Sequence, residues 1–206
     1  MISDARVPFW KRPVAGLRRR LAGGHKTAFV LSGGGNLGAV QVGMLRALVD
    51  AGVWPDLIVG CSVGAINGAA YAAEPGRPGV DRLDRIWGRI AEGDPDLMPS
   101  GFIPMVAQMA RKGEALHDQD PLAELLNDEL QAKTFAGLKL PFCCVATDLD
   151  EAAEFWFDRG RLVPALLASA ALPAVYPAVI HGDRRFIDGG VLNDCLLYTS
   201  PSPRDS

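Results

Sequence analysis

The feature that most constrains this chain is a short apolar run followed by a serine between two glycines and then an alanine-rich stretch. Residues 57–59 predict a buried strand, and the sequence after Gly64 predicts a helix. The turn at 60–64 fits the pattern G-x-S-x-G, which requires a strand, a sharp turn and a helix in that order. Glycine relieves backbone crowding in such a turn, and a helix N-terminus favours negative charge. The pattern therefore predicts that Ser62 is a nucleophile, with Gly60 and Gly64 as motif glycines.

A second glycine-rich turn follows the first predicted strand, residues 27–31, and consists of Gly33, Gly34 and Gly35. Consecutive glycines present backbone N–H groups without side chains, which is typical of an anion-binding nest. The helix predicted after this turn, residues 37–51, ends before a glycine. Its apolar side is predicted to consist of Val40, Met44, Leu45, Leu48 and Val49.

Two chemistries use such a nest. Residues 33–38, with Gly38 as the last glycine, formally satisfy the dinucleotide-binding pattern G-x-G-x-x-G. That pattern expects an acidic residue at the end of the second strand, whereas the nearest acid here, Asp56, precedes the strand. The alternative is an oxyanion hole for Ser62, because both turns follow neighbouring parallel strands. The sequence favours the oxyanion hole.

Composition excludes several function classes. The chain has 206 residues, 49% of them hydrophobic, which predicts one domain with a sizeable core. A net charge of −3 argues against general nucleic-acid binding. The cysteines at 61, 143, 144 and 195 show neither metal-ligand nor disulfide spacing, which favours a reducing compartment.

No membrane-targeting segment is predicted. Residues 57–73 and 162–180 are uncharged runs, but glycines and prolines interrupt them and favour the interior of a soluble fold. Residues 1–24 lack the apolar region of a signal peptide. The sequence therefore predicts a cytoplasmic protein, with a location peripheral to the membrane as the alternative.

Three segments differ in character. Residues 1–26 are a basic lead-in, interpreted as flexible, with contact to an anionic lipid surface as the alternative. Residues 27–194 form the predicted catalytic domain, and we expect it to be truncated at its C-terminus. Residues 195–205 match the translation of a transposase-type sequencing adapter in one frame, so we expect the last twelve residues, 195–206, to be a sequencing artefact.

The middle of the chain predicts helices at 80–91, 102–112 and 120–132, the last with Asp120 as N-cap and Pro121 at its first position. They are interpreted as a solvated outer layer, with a lid over the site as the alternative. Further strands are predicted within 138–148, at 154–157 and at 186–187, and a helix at 163–171.

Four blocks occur in a characteristic order: residues 33–38, 60–64, 146–149, and 168–173 leading to the Asp-Gly-Gly turn at 188–190. Together they resemble the patatin-like phospholipase family, and the resemblance covers about residues 27–194. It implies an α/β fold of three layers, α/β/α, with a mostly parallel central sheet. It also implies lipid or ester substrates, transient contact with a membrane surface, and no metal or other cofactor.

The resemblance further implies a Ser–Asp dyad, in which Ser62 is the nucleophile and Asp188 its base. The amides of Gly33, Gly34 and Gly35 would form the oxyanion hole, and Gly189 and Gly190 would shape the aspartate's turn. One departure concerns Leu37, because members that act on phospholipids often carry Arg or Lys there. Its absence weakens the expectation of a phospholipid substrate relative to a simpler ester.

Alternatives remain at this stage. No histidine follows Asp188, which disfavours a Ser–His–Asp triad. Asp148 is a competing candidate base, but no glycine turn follows it. An acyltransferase or thioesterase would use the same serine. A non-catalytic lipid- or nucleotide-binding module would keep the pocket without covalent chemistry.

Overall fold

The computed structural model describes residues 26–92, 119–173, 175–193 and 196. The helix predicted at 102–112, nearly all of the basic lead-in, and residues 195–206 apart from Leu196 lie outside the described residues. The described part has an α/β fold in which helices flank one six-stranded sheet.

The strands are β1 (Ala28–Leu31), β2 (Leu57–Cys61), β3 (Phe142–Asp148), β4 (Ala153–Phe157), β5 (Val179–His181) and β6 (Arg184–Asp188). The helices are α1 (Gly38–Asp50), α2 (Val63–Ala73), α3 (Arg77–Ala91), α4 (Asp120–Glu129) and α5 (Leu162–Ser169). Short 3-10 turns cover Gly35–Leu37, Phe135–Gly137 and Gly189–Val191.

The first three strands form the parallel part of the sheet, with β1 at its edge. β1 pairs with β2 and β2 with β3, both in parallel, and the connections pass through α1 and through α2 to α4. β4 and β6 each pair antiparallel with β3, and β5 completes the sheet beside β6. The predicted fold class, an α/β fold with a mostly parallel central sheet, is confirmed.

β2 and β3 are buried along their whole length on both faces, as expected where a sheet is covered on two sides. Along β2, Ile58 points into the larger apolar cluster, whereas Leu57 and Val59 belong to a smaller one. The larger cluster includes buried side chains from all five helices, and the smaller one includes Trp156 and Leu196. The sheet therefore separates two apolar cores. The loops that follow β1 and β2 lie at the C-terminal ends of these parallel strands.

The prediction of the apolar face of α1 was wrong in part. Val40 and Met44 are 60% and 59% exposed, whereas Val42 and Leu45 are buried. The reason lies at the start of the helix, where Gly38 packs so closely that a Cβ there would lie 2.3 Å from a Val63 methyl. This contact turns the face of Gly38, rather than that of Val40, toward the core.

Two helix boundaries also differ from prediction. α3 begins at Arg77 rather than at residue 80, because Pro78 is tolerated in a first helical turn. α4 begins at Asp120 with Gln119 as its N-cap, so Asp120 is the first helical residue and not the cap. Within the described residues, no helix combines the length and apolar character needed to cross a bilayer.

Candidate active site

Ser62 occupies the sharp turn between β2 and α2. Its φ of 55° and ψ of −130° lie in a region that residues other than glycine rarely adopt, at a cost of about 1–3 kcal/mol. The Ser62 carbonyl accepts the amides of Ala65 at 2.9 Å and Ile66 at 3.3 Å, which starts the helix directly after the serine. The side chain is half-buried at the helix N-terminus. The strand, turn and helix predicted around Ser62 are all present.

The glycine-rich turn lies against this serine turn. A Cβ on Gly64 would be 2.1 Å from the carbonyl oxygen of Leu31 and 2.6 Å from that of Ser32. Those two residues lead directly into the glycine run, where Gly34 and Gly35 have φ values of 150° and 54°. The structure therefore brings the two predicted loops together, through a contact that only a residue without a side chain allows.

A polar network centred on the buried Asn67 connects the glycine-rich turn to α2. Asn67 of α2 is fully buried, and its Nδ2 donates to the carbonyl of Gly38 and to Oε1 of Gln41, both at 2.9 Å. Gln41 in turn donates to the carbonyl of Ser32 at 2.8 Å. Trp87 Nε1 donates to Asn67 Oδ1 at 3.0 Å. Sequence reasoning missed these residues, because a polar side chain in a helix gives no sign of its long-range partners.

β2 and β6 meet end to end on one edge of β3. Val145 pairs with Cys61 of β2, and the next residue, Ala146, pairs with Asp188 of β6. Both residues of β3 also pair with β4, which therefore occupies the opposite edge. Because β2 runs parallel to β3 and β6 antiparallel, their C-terminal ends face each other at this point. The Ser62 turn and the Asp-Gly-Gly turn thus start from adjacent positions.

The turn after β6 passes directly over this junction. A Cβ on Gly189 would lie 2.4 Å from the carbonyl oxygen of Val145 and 2.8 Å from Sγ of Cys61. Asp188 itself is 3% exposed, and its Oδ1 accepts the amide of Gly190 at 2.8 Å. The two predicted glycines therefore have different tasks: the first allows close approach to β2, and the second orients the carboxylate.

Two buried hydroxyl groups hold the backbone on either side of the junction. Thr147 Oγ1 donates to the carbonyl of Asp188 at 3.0 Å. Ser169 Oγ accepts the amide of Ser62 at 3.0 Å and donates to the carbonyl of Val145 at 2.6 Å. Neither role was predicted from the sequence, although both residues fall within blocks that carry the family resemblance.

The competing carboxylate is already engaged elsewhere. Asp148 is 1% exposed, its Oδ1 accepts two turn amides, and its Oδ2 lies 2.8 Å from Nη1 of Arg184. His181 pairs with Arg184, at the end of β6 opposite Asp188, whereas His25 and His117 lie outside the described residues. Among the described residues, Asp148 is thus bound to Arg184 and to its own turn, whereas Asp188 lies at the junction with β2.

The cysteine beside the serine is a poor rival nucleophile. Cys61 is fully buried in β2, and its Sγ lies under the Asp-Gly-Gly turn. In the neighbouring strand, burial raises the pKa of the Cys143 and Cys144 thiols well above the ordinary value. The Cys143 and Cys144 thiols therefore stay protonated at neutral pH.

The comparison with family models gives one decisive match. Residues 29–198 match the model described as "Patatin-like phospholipase". The chain belongs to the patatin-like phospholipase family. The matched stretch contains the glycine-rich turn, the Ser62 turn and the Asp-Gly-Gly turn, so all three loops of the candidate site lie inside the family domain.

Alignments with related proteins cover most of the chain. An uncharacterized NTE family protein of Mycobacterium bovis is 29% identical over an alignment of 189 residues, and the match covers 87% of this chain and 46% of that protein. Patatin-like phospholipase domain-containing protein 7 of Mus musculus is 28% identical over 177 residues, which are 85% of this chain and 12% of that protein. This patatin-like chain therefore spans less than half the length of these relatives.

Among solved structures, the chain resembles VipD from Legionella pneumophila. The TM-score is 0.58 at 13% sequence identity, and the match covers 84% of this chain and 47% of that one. At this identity the likeness concerns the fold alone, and it agrees with the α/β architecture described above.

Proposed function

We propose that this patatin-like chain is a serine lipid acyl hydrolase, which cleaves carboxylic ester bonds through a Ser62–Asp188 dyad and an acyl-enzyme. The observation that carries the proposal is the end-to-end meeting of β2 and β6 beside Val145 and Ala146. It starts a strained serine turn and a buried aspartate turn from neighbouring positions. Membership of a phospholipase family supports lipid hydrolysis as the broader activity.

The first half-reaction forms the acyl-enzyme. Asp188 accepts the Oγ proton of Ser62 while Oγ bonds to the ester carbonyl carbon. The carbonyl oxygen becomes an oxyanion, which the amides of residues 33–35 stabilise, a contribution of about 3–4 kcal/mol per donor in other hydrolases. The ester C–O bond then breaks, and the proton held by Asp188 passes to the leaving alcohol.

The second half-reaction returns the enzyme. Asp188 takes a proton from water, whose oxygen bonds to the acyl carbon and displaces Ser62 Oγ. The proton returns to Oγ, and the carboxylic acid leaves. General-base assistance of this kind contributes about 10²- to 10⁴-fold to each half-reaction. An alcohol or thiol acceptor in place of water would give the transferase alternative from the same intermediate.

Covalent labelling with a fluorophosphonate probe tests the proposal. We expect intact mass to show one adduct per folded wild-type molecule, and peptide mapping to place it on Ser62. Asp188→Asn should slow labelling by about 10²- to 10⁴-fold, because the amide cannot take the serine proton. Product analysis with and without an added alcohol then separates hydrolysis from acyl transfer.

The same experiment has clear contrary outcomes. Wild-type protein that is folded by circular dichroism yet takes no label would favour the non-catalytic binding module. An adduct on Ser32 or Ser169 instead of Ser62 would contradict the assignment of the nucleophile. Heat-unfolded protein is the control, since a label that requires the folded turn disappears on unfolding.

Leu37 gives a prediction about substrate charge. It is 69% exposed in the 3-10 turn that follows the glycine run, so a longer polar side chain fits there. Leu37→Arg should raise the rate on anionic phospholipid relative to an uncharged ester of equal acyl length by roughly 3- to 10-fold. The reason is that a guanidinium pairs with phosphate through charge-assisted, bidentate hydrogen bonds. Leu37→Gln is the control, because it introduces a polar but uncharged side chain at the same position.

The readout is the ratio of two kcat/KM values, one for the anionic phospholipid in vesicles and one for the uncharged soluble ester. Leu37→Arg should lose its advantage as salt is raised, because an exposed ion pair is screened. An unchanged ratio in Leu37→Arg, or an equal rise in Leu37→Gln, would show that this position does not contact the head group.

A further inference from the structure

A single buried hydroxyl connects the nucleophile to the central strand. Ser169 is fully buried at the C-terminal end of α5. Its Oγ accepts the Ser62 amide at 3.0 Å and donates to the Val145 carbonyl at 2.6 Å. The hydroxyl thus acts as acceptor for one backbone group and as donor to another. The group that it accepts from belongs to Ser62, the residue proposed to react.

The pattern of strand pairing explains why a hydroxyl lies there. The amide of Ile58 donates to the carbonyl of Pro141 at 3.0 Å, which sets the phase of the parallel pairing between β2 and β3. In a parallel ladder the donors follow at every second residue, so the Ser62 amide would next meet the Val145 carbonyl. The chain turns away from the sheet at that residue. Ser169 Oγ lies between the two groups and connects them.

The same short segment also contacts the acidic partner. The amide of Asp188 donates to the carbonyl of Ala171 at 2.9 Å, two residues after Ser169. α5 therefore ends in a stretch whose side chain holds the Ser62 backbone and whose main chain holds the Asp188 backbone. Such a segment controls the relative position of the two proposed catalytic residues.

We propose that Ser169 is a positioning residue for the nucleophile, a role that rests on the proposed function of Ser62. Its hydroxyl keeps the Ser62 backbone in the strained conformation in which Oγ is proposed to react. Without the hydroxyl, the Ser62 amide and the Val145 carbonyl lose their shared partner, and the turn relaxes toward a more populated region of φ and ψ. The reacting oxygen then moves, although no catalytic group has been removed.

Ser169→Ala and Ser169→Thr test this role. On a soluble short-chain ester, Ser169→Ala should lower kcat by about 10- to 100-fold with little change in KM, because small displacements of a reacting group carry costs of that size. The rate constant for fluorophosphonate labelling should fall in parallel. Ser169→Thr retains the hydroxyl and should recover most of the loss.

A stability control separates positioning from packing. Ile86→Val shortens a fully buried side chain of α3, in the apolar cluster rather than at the dyad, and should lower the melting temperature while kcat per folded molecule stays unchanged. If Ser169→Ala behaves like Ile86→Val, with kcat within about threefold of wild type, the role of Ser169 is structural only and the proposal is overturned. Equal losses in Ser169→Ala and in a Ser169→Thr protein that melts like the wild type would overturn it as well.

Failure of the proposed function gives a different pattern. In that case the wild-type protein itself neither hydrolyses the ester nor takes the label, and the positioning role fails with it. Active wild type together with an active Ser169→Ala contradicts only the role of Ser169.

Discussion

Ser62→Ala should lower kcat for ester hydrolysis by about 10⁴- to 10⁶-fold, the largest effect on activity that this chain offers. The substitution removes only Oγ, the atom proposed to bond to the acyl carbon. Asp188 and the glycine amides remain, so a small residual rate above that of water is expected from the oxyanion hole and substrate binding. Steady-state kinetics on a soluble ester, with active-site titration of the wild type, measures the effect.

The same variant should fold as well as the wild type. Alanine keeps the Cβ and therefore the backbone strain at a φ of 55°. The Ser62 amide also keeps its bond to Ser169, because that bond uses the main chain. A melting temperature within about 2 °C of wild type, combined with lost activity, separates chemistry from folding. A Ser62→Ala protein that keeps a tenth or more of wild-type kcat would contradict the nucleophile assignment.

Sequence reasoning predicted the elements of the site because each depends on local pattern. The run of apolar residues before Gly60, the serine, and the alanine-rich stretch after Gly64 lie within one short segment, and the structure has β2, the turn and α2 there. The strand at β3 and the helix at α5 were predicted for the same reason. Such strands and helices can be predicted from contiguous residues alone, since secondary-structure propensity and the periodicity of burial are properties of the local sequence.

What the sequence did not predict depends on contacts between distant residues. The exposed Val40 and Met44 were expected on the apolar side of α1, but the close approach of Gly38 to Val63 rotates that side away. The hydroxyl of Ser169 reaches across 107 residues to the amide of Ser62. Neither contact can be recognised from the local sequence, because a glycine or serine that makes a long-range contact cannot be distinguished there from one that makes none.

The position of Asp188 depends both on a local sequence pattern and on a contact between distant residues. An Asp-Gly-Gly turn is common in every fold, so its residues alone are weak evidence for a base. The pairing of Ala146 with Asp188 supplies what was missing, since it puts the end of β6 beside the end of β2. The role of the aspartate as base remains a proposal, but its placement follows from strand register.

Gly64→Ala should produce the largest loss of stability, about 3 kcal/mol or more in the free energy of unfolding. The added Cβ would lie 2.1 Å from the Leu31 carbonyl oxygen and 2.5 Å from its carbon. These are backbone atoms at the end of β1, which the parallel ladder with β2 holds in place. Neither side can move without breaking strand pairing, so the strain cannot be relieved by a change of rotamer. Urea unfolding monitored by circular dichroism measures the effect.

Gly43→Ala is the matched control, because it makes the same chemical change in a helix. A Cβ there meets nothing within 4 Å on the exposed side of α1, so alanine should raise stability by about 0.5–1 kcal/mol. Opposite signs for the two substitutions would show that contact with β1, and not helix propensity, requires Gly64. If Gly64→Ala unfolds at the same urea concentration as Gly43→Ala, the two loops do not pack as described.

The same contact makes Gly64→Ala informative about the site. The atoms that the methyl group would displace lead through Ser32 into the glycine run, so any folded molecules should carry a shifted oxyanion loop. Labelling per folded molecule should therefore fall as well, because the donors no longer lie where charge develops. Stability and reactivity are coupled at this residue because one close backbone contact joins the nucleophile turn to the loop proposed to stabilise its oxyanion.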